Sequence, residues 1–416
     1  MNRRRQTLGL IIAIIFLIIA AIFLWRVSHA PPPVPLVTPT PTPSISITPT
    51  PSITPTPAPI PPLTPTPAQT LSFEDIDFTQ VALHSTVQSV RNALQDARNT
   101  LYAQVPVRLS KDLDIGALSE ALSAFDGVYD YTYGMLPQTG EMCALVNITY
   151  TPGARMAWAY LTGDRSFLSD NEKNALSLAA ALIQSDDFVS AGELARERMI
   201  HDFIASITEY SHREPEQGEL NDFQTALGVL LSGSGNCMGY SDTFLMLSRM
   251  AGFDVYTVHG EAHNGKSLES HAWNVIRIDD DWVAVDVTWD DVDIEPFVCT
   301  YVYYNVGADM LSGSHIWDND IMPVMMIQSM SGSYAYVSGE YTDLYYICSE
   351  SDFCDLLMRE LPLLQENDVI SVFCDGFRLS EDGLRSYLTL ADPYRSWTFI
   401  ESNLGTGQYW TFSPLK

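Results

Sequence analysis

Basic side chains are scarce in this 416-residue chain: 22 Lys and Arg stand against 51 Asp and Glu, a formal net charge of −29. Arg3, Arg4, Arg5 and Arg26 fall within the first 30 residues, which hold no acid, and residues 31–70 carry no charge of either sign. Beyond residue 70, 22 less these 4 leaves 18 basic against 51 acidic side chains, or −33. Phosphate backbones are bound by clustered Lys and Arg, so nucleic acid is excluded as a partner. The surplus negative charge favours solubility and is compatible with cationic substrates or divalent ions. Cysteine is also sparse. Cys143, Cys237, Cys299, Cys348, Cys354 and Cys374 do not make a disulfide-dense scaffold. If Cys237 stays free, the other five cannot all pair, and a bridge among Cys348, Cys354 and Cys374 is left open.

Leu8 to Trp25 is an apolar run of 18 residues with no charge. As a helix it would span roughly 27 Å at ~1.5 Å per residue, about the thickness of a bilayer core. The arginines before it put the N-terminus in the cytoplasm and all that follows outside. A cleaved signal peptide is the rival, but Pro31 hinders cleavage after Ser28-His29-Ala30, and the run is long for a signal. An uncleaved single-pass membrane anchor over residues 1–30 is therefore expected. Residues 31–70 hold 16 of the 25 prolines in repeated Thr-Pro units. Proline fixes φ and removes donors, so this tract is expected to be a disordered polyproline-type stalk, reaching on the order of 120 Å at ~3.1 Å per residue.

From Leu71 the composition turns globular. Helical spacing runs through Phe78–Tyr102, Asn171–Ile183 and Ala191–Tyr210. In the last of these Ile200, Phe203 and Ile207 face inward, while Glu193, Arg196, Glu197 and Arg198 are expected to be more exposed. His201 is expected on a helix surface and His212 in a loop. A strand–helix–strand–strand pattern occurs twice. It covers residues 103–110, 115–125, 128–133 and 144–150, then 369–380, 381–391, 394–400 and 408–412. The segments LSKDLDIGAL and LSEDGL echo one another. The expected organisation is a small α+β domain at 71–165, a catalytic domain at 166–330 and a second small α+β domain at 331–416.

Chemistry concentrates between Gly235 and Asp291. Cys237 follows Gly233-Ser234-Gly235-Asn236, and Cys237, Tyr240, Phe244, Leu247 and Ala251 fall on one helical stripe that Gly252 stops. The thiol is thus expected in the first turn of a buried helix. The dipole there favours thiolate, and free N–H groups can hold an oxyanion. Phe253–Gly260 alternates as a strand, HGEAHNGKSLES reads as a mobile loop, and His271 opens the strand HAWNVIRI. A tight turn at Asp279-Asp280 pairs residues whose numbers sum to 559, setting Asp286 opposite Trp273 and one diagonal step from His271. Val283, Val285, Val287 and Trp289 form the apolar face of that second strand. Asp286, half-buried among apolar neighbours, needs a partner, and His271 is the natural one. Cysteine nucleophile, histidine base and orienting aspartate make a triad for acyl transfer.

Other groups compete. His259 and His263 form H-x-E-x-H, which is not the helical zinc pattern. His315, in SGSHIWDND, either lines the cleft or caps a turn. Asp290, Asp291, Asp293, Asp318 and Asp320 could bind Ca²⁺ but lack the alternation of an EF-hand loop. No cofactor is expected.

The segments QTALGVLLSGSGNCMGYSDTFLMLSRMAGFDV and HAWNVIRIDDDWVAVDVTWDD, with YVYYNVGADMLSGSHIWD after them, resemble the transglutaminase-like superfamily in its bacterial extracytoplasmic branch. The resemblance covers about Glu197 to Asp318. It implies a papain-like α+β fold, with the cysteine helix packed on an antiparallel sheet. It implies a Cys237–His271–Asp286 triad, with Gln224 near the site and Tyr240 and Trp273 shaping the cleft; the expected substrate is protein or cell-wall peptide. Met238 and Leu227 depart from the polar or aromatic residues common in relatives.

Overall fold

The computed structural model describes residues 71–122, 128–214, 221–263, 267–292, 299–317, 327, 333–338, 341–365, 368–404 and 407–415. The anchor and stalk expected over residues 1–70 lie outside these, as do Asp293, Asp318 and Asp320. Among the described residues no helix is long and apolar enough to cross a membrane. Residues 68–416 form one compact unit.

Three four-stranded sheets follow one another along the chain. The first holds β1 (Leu83–His84), β2 (Gln104–Leu109), β3 (Val128–Met135) and β4 (Met142–Thr149) in the order β1-β2-β4-β3, with β1 parallel to β2 and the rest antiparallel. The helical stretch expected from Phe78 begins only at Val87 and runs to Thr100, because β1 intervenes. After β4 comes a helix that periodicity had not marked, Pro152–Thr162, capped by Thr151 and stopped by Gly163 in the left-handed region. A two-stranded parallel ladder, β5 (Glu209–Tyr210) with β6 (Ser234–Gly235), sits just ahead of Cys237.

The central sheet has the order β10-β7-β8-β9, built from β7 (Val255–His263), β8 (Leu268–Ile278), β9 (Asp281–Val285) and β10 (His315–Ile316). The last sheet holds β11 (Leu344–Ile347), β12 (Ile370–Cys374), β13 (Trp397–Leu404) and β14 (Gly407–Pro414). Its order, β11-β12-β14-β13, and strand directions repeat those of the first sheet. All six cysteines are free.

The Cys237–Met250 helix is the hub. It packs on β7 and β8, and the helices Pro152–Thr162, Ala226–Ser232 and Glu193–Ile207 lie against its other sides. Phe244, Leu245, Met246 and Leu247 on it are fully enclosed. One hydrophobic core runs from the first sheet through this helix and the central sheet to Phe373 and Tyr409. A satellite core fills the last sheet around Phe353, Val372 and Trp410.

The β8–β9 hairpin pairs Asn274 with Val285 and Ile276 with Val283, the register whose numbers sum to 559. Asp279 and Asp280 both take positive φ, 48° and 72°. That is the signature of the type I′ turn, whose twist suits a two-residue hairpin loop. Two expectations fail here. HGEAHNGKSLES is not a mobile loop in its described part, because β7 extends to His263 and β8 starts at Leu268. The H-x-E-x-H side chains stand exposed along one face of β7. The second strand also ends early, at Val285, and residues Val287–Asp290 turn into a one-turn helix. Asp286 causes the break: its carboxylate accepts from the N–H groups of Thr288 and Trp289 as an N-cap.

Gly260 marks a close approach between strands. A methyl there would lie 2.4 Å from the Ile316 carbonyl oxygen and 2.7 Å from the Trp273 ring. Gly260→Ala is therefore expected to lower stability by about 1–3 kcal/mol through overpacking. Urea denaturation measures it, and a loss under ~0.5 kcal/mol would contradict the packing described.

Candidate active site

Cys237 is the first residue of its helix, with Asn236 as N-cap. The Asn236 side chain accepts from the Met238 and Gly239 N–H groups at 3.1 and 3.3 Å. Those two donors, expected to be free for an oxyanion, are thus engaged. The N–H of Cys237 remains, at a position that has no partner within a helix. Cys237 keeps 9 % of its surface exposed.

His271 and Asp286 meet across the β8–β9 turn at 2.7 Å, Nε2 to Oδ2. A carboxylate can only accept, so Nε2 carries the proton and Nδ1 is left for the Cys237 sulfur, which is a hydrogen-bond partner of the ring. Burial opposes charge on His271, but the Asp286 carboxylate and the Cys237 sulfur outweigh it and lift the imidazole to about 10. Asp286 is 1 % exposed. Burial alone would raise it, yet the two histidines against it hold the carboxyl far below the ordinary carboxylate range.

The second of those histidines is His315. It sits on β10, paired with Ala262 of β7, and its Nε2 lies 3.1 Å from the same Asp286 oxygen. Burial, chiefly, lowers His315 below its usual 6.5, so it is a neutral ring at pH 7. Ser314 Oγ, 2.9 Å away, is its Nδ1 partner. His315 therefore neither lines an open cleft nor caps a turn; it is a second donor to the acid.

Two tryptophans flank the His271 ring. Trp273 lies at 6.1 Å, nearly parallel to the His271 ring, and is fully buried, so it backs the ring instead of lining the cleft. Trp289, expected on the core face of a strand, lies half-buried in the one-turn helix with its ring 5.1 Å from His271. Gln224 is close by: its amide nitrogen is 3.5 Å from the sulfur of Met238, and its oxygen accepts from Asn221. Tyr240 is buried, and its hydroxyl donates to Asp291.

Tyr210 went unnoticed in the sequence. It is 39 % exposed on β5, with its ring 6.4 Å from Tyr240 and 4.9 Å from His212. Burial and then the charges of Cys237, Glu269 and Asp286 push its phenol up, and its pairing with Gly235 sets it near Cys237. No motif marks such a residue; only the β5–β6 pairing brings it there.

Among the described residues two clusters are compact enough to hold a metal: His271, Asp286 and His315, and His201, Asp202 and Cys299. In both, every carboxylate oxygen facing the imidazoles already accepts a hydrogen bond. Asp290, weighed for Ca²⁺, is sealed from solvent and hydrogen-bonded to Thr300, Val302, Tyr303 and His201.

Residues 185–287 match the model of the transglutaminase-like superfamily, a span that encloses all three members of the triad. The chain carries a transglutaminase-like domain, with the mixed α+β core of that superfamily. Kyphoscoliosis peptidase from Mus musculus is 29% identical over 121 residues, 27% of this chain and 18% of that protein. The Homo sapiens protein is 30% identical over 105 residues, 23% and 16% of the two chains. The matches thus span less than a fifth of the length of these relatives. A crystal structure of a TGase covers 46% of this chain and 53% of its own at 16% identity, with a TM-score of 0.26. The periplasmic domain of TgpA from Pseudomonas aeruginosa covers 40% and 66% at 18% identity, with a TM-score of 0.23.

The pair His271–Asp286 has a defined stability window. The Asp286 share is present above its unfolded value, near 3.8, and is lost as pH falls. The His271 share is full below its unfolded 6.5 and is lost as pH rises through about 10. The stability gap between wild type and Asp286→Asn in urea is expected to be widest between those two unfolded values and to shrink as pH climbs towards 10. A gap constant from pH 4 to pH 10 would contradict this. Removing one donor from a charged acceptor costs about 1.5–3 kcal/mol, or roughly 10- to 100-fold. His315→Ala is accordingly expected to slow alkylation of Cys237 by that factor without abolishing it, and an unchanged rate would refute its part in the site.

Proposed function

We propose that the chain is a thiol enzyme acting on amide carbonyls of protein or cell-wall peptides. The observation that carries this is the His271 ring set between the Cys237 sulfur and the Asp286 carboxylate. The Cys237 thiolate attacks the carbonyl carbon and the C=O π pair moves to oxygen. The N–H of Cys237 receives that oxyanion. Collapse breaks the C–N bond, His271 gives its Nδ1 proton to the leaving amine, and an acyl-thioester remains. Water, deprotonated by His271, releases an acid; an amine in its place gives a new amide. Asp286 keeps the ring oriented in both halves. Tyr210 at the mouth contacts whichever group enters.

The location is part of the same reading. Leu8–Trp25, with Arg3, Arg4 and Arg5 before it, supports a single membrane anchor with the catalytic part outside the cytoplasm. The Thr-Pro tract supports a stalk that holds it away from the bilayer. The common strand order of the two outer sheets supports small modules at 71–165 and 331–416 flanking the catalytic one at 166–330. A second reading, an inert surface-binding protein, draws on the low exposure of Cys237.

Iodoacetamide separates the two. A free thiol, with a pKa of ~8.5, slows about tenfold per unit of pH below that value. The enzyme reading expects Cys237 to alkylate at nearly the same rate at pH 6 as at pH 8, and the signal to vanish in Cys237→Ala. A rate that tracks a free thiol, or no reaction, favours the inert reading.

A further inference from the structure

The sequence placed His201 on a helix surface and Glu197 among exposed side chains; both are fully buried. His201 projects from the Glu193–Ile207 helix into the ground beneath the acid of the triad. Its Nε2 is 3.3 Å from Asp290 Oδ2 and its Nδ1 is 3.0 Å from Asp202 Oδ1. The ring lies against Tyr301 and Tyr304, at 5.4 and 5.0 Å. The Cys299 sulfur is 3.7 Å from Asp202, and Arg198 pairs with Asp202 from the same helix.

Asp290 does more than receive His201. It ends the one-turn helix that Asp286 begins, and its N–H donates to the Asp286 carbonyl at 3.1 Å. Its other carboxylate oxygen accepts from the N–H groups of Val302 and Tyr303 at 2.8 and 3.0 Å and from the Thr300 hydroxyl at 3.0 Å. Tyr303 closes the circuit, because its carbonyl accepts the Asp286 N–H at 3.1 Å. The Asp286 backbone is thus held from both sides by segments that Asp290 laces together. The helix carrying His201 also packs on the Cys237 helix and on the one-turn helix, so it spans both arms of the triad.

We propose that His201 and Asp290 are positioning residues: a buried imidazolium–carboxylate pair that fixes where Asp286 stands, and through it the His271 ring. A carboxylate sealed at 0 % exposure needs a compensating cation, and His201 is the ring that faces it. The neighbouring carboxylates, and after them the Cys299 sulfur, hold His201 well above its ordinary value against the effect of burial, while burial raises Asp290 in spite of its donors. Metal ligation by His201, Asp202 and Cys299 is the weaker account, because Arg198 and Tyr301 already occupy Asp202.

The inference deepens the thiol-enzyme reading and rests on it. The test uses the pH profile of Cys237 alkylation in folded His201→Gln, Asp290→Asn and the double variant, with thermal unfolding measured beside it. Gln at 201 keeps an N–H but no charge; Asn at 290 keeps an acceptor for the 300–303 segment. A misplacement near 1 Å at a reacting centre costs up to ~100-fold, so each single variant is expected to alkylate roughly 10- to 100-fold slower at pH 6. The double variant, neutral on both sides, is expected to recover part of the rate. Single variants that unfold earlier yet keep the wild-type profile would overturn the proposal and leave the pair merely structural. If His201→Gln does not fold, Asp290→Asn decides alone by the same criterion. Should wild-type Cys237 itself lack reactivity at pH 6, the enzyme reading fails first; wild-type reactivity with unaltered variants sinks only this inference.

Discussion

A carboxylate sealed from water must be met by donors on every side, and the site of this protein is organised around meeting that need for Asp286. One oxygen takes two backbone N–H groups of the turn that Asp286 itself starts. The other takes two imidazoles, from β8 and β10. The two rings respond differently. His271 is lifted to about 10 because it faces both the carboxylate and a sulfur, while His315, deeper and flanked by His271, is lowered. One buried charge therefore yields one ring that holds a proton and one that only donates a hydrogen bond. Satisfying Asp286 fixes the end of β9, the placement of β10 and the tilt of His271 together.

The same logic repeats one turn further on. Asp290 is equally buried and gathers three donors from residues 300–303 beside His201. The chain has few cations for such groups, and Asp286 and Asp290 rely on histidine, hydroxyl and backbone N–H donors instead. Glu172 is an exception, paired with Arg155 at 2.8 Å, while Arg198 serves a half-buried acid. Arg198 binds Asp343 through two bonds and lies between the rings of Tyr301 and Tyr341, tying the start of the last sheet to the central helices.

Local features were readable where periodicity or turn chemistry fixes them. The Cys237 helix follows from five apolar positions on one stripe, and it starts and ends where expected. The hairpin register follows from a two-residue turn, because any other length would shift every partner. What failed depended on side-chain chemistry across the fold. Asp286 broke its strand because capping Thr288 and Trp289 competes with another pair of ladder bonds. His201 and Glu197 sit among charged neighbours on a helix whose pattern reads as solvent-facing, and only their partners Asp290, Tyr304 and Asn305, about 90 or more residues away, explain their burial. Tyr210 pairs with Gly235, just ahead of Cys237, through a two-residue ladder too short to leave a pattern.

The central claim is that Asp286 keeps His271 charged beside the sulfur at neutral pH. Nitrogen-15 NMR of histidine-labelled protein reads that state directly, with His271→Gln assigning the signal. The account predicts that both ring nitrogens of His271 stay protonated from pH 6 to beyond pH 8, and that Asp286→Asn removes this. A His271 ring that titrates near 6.5 in the wild-type protein would contradict it.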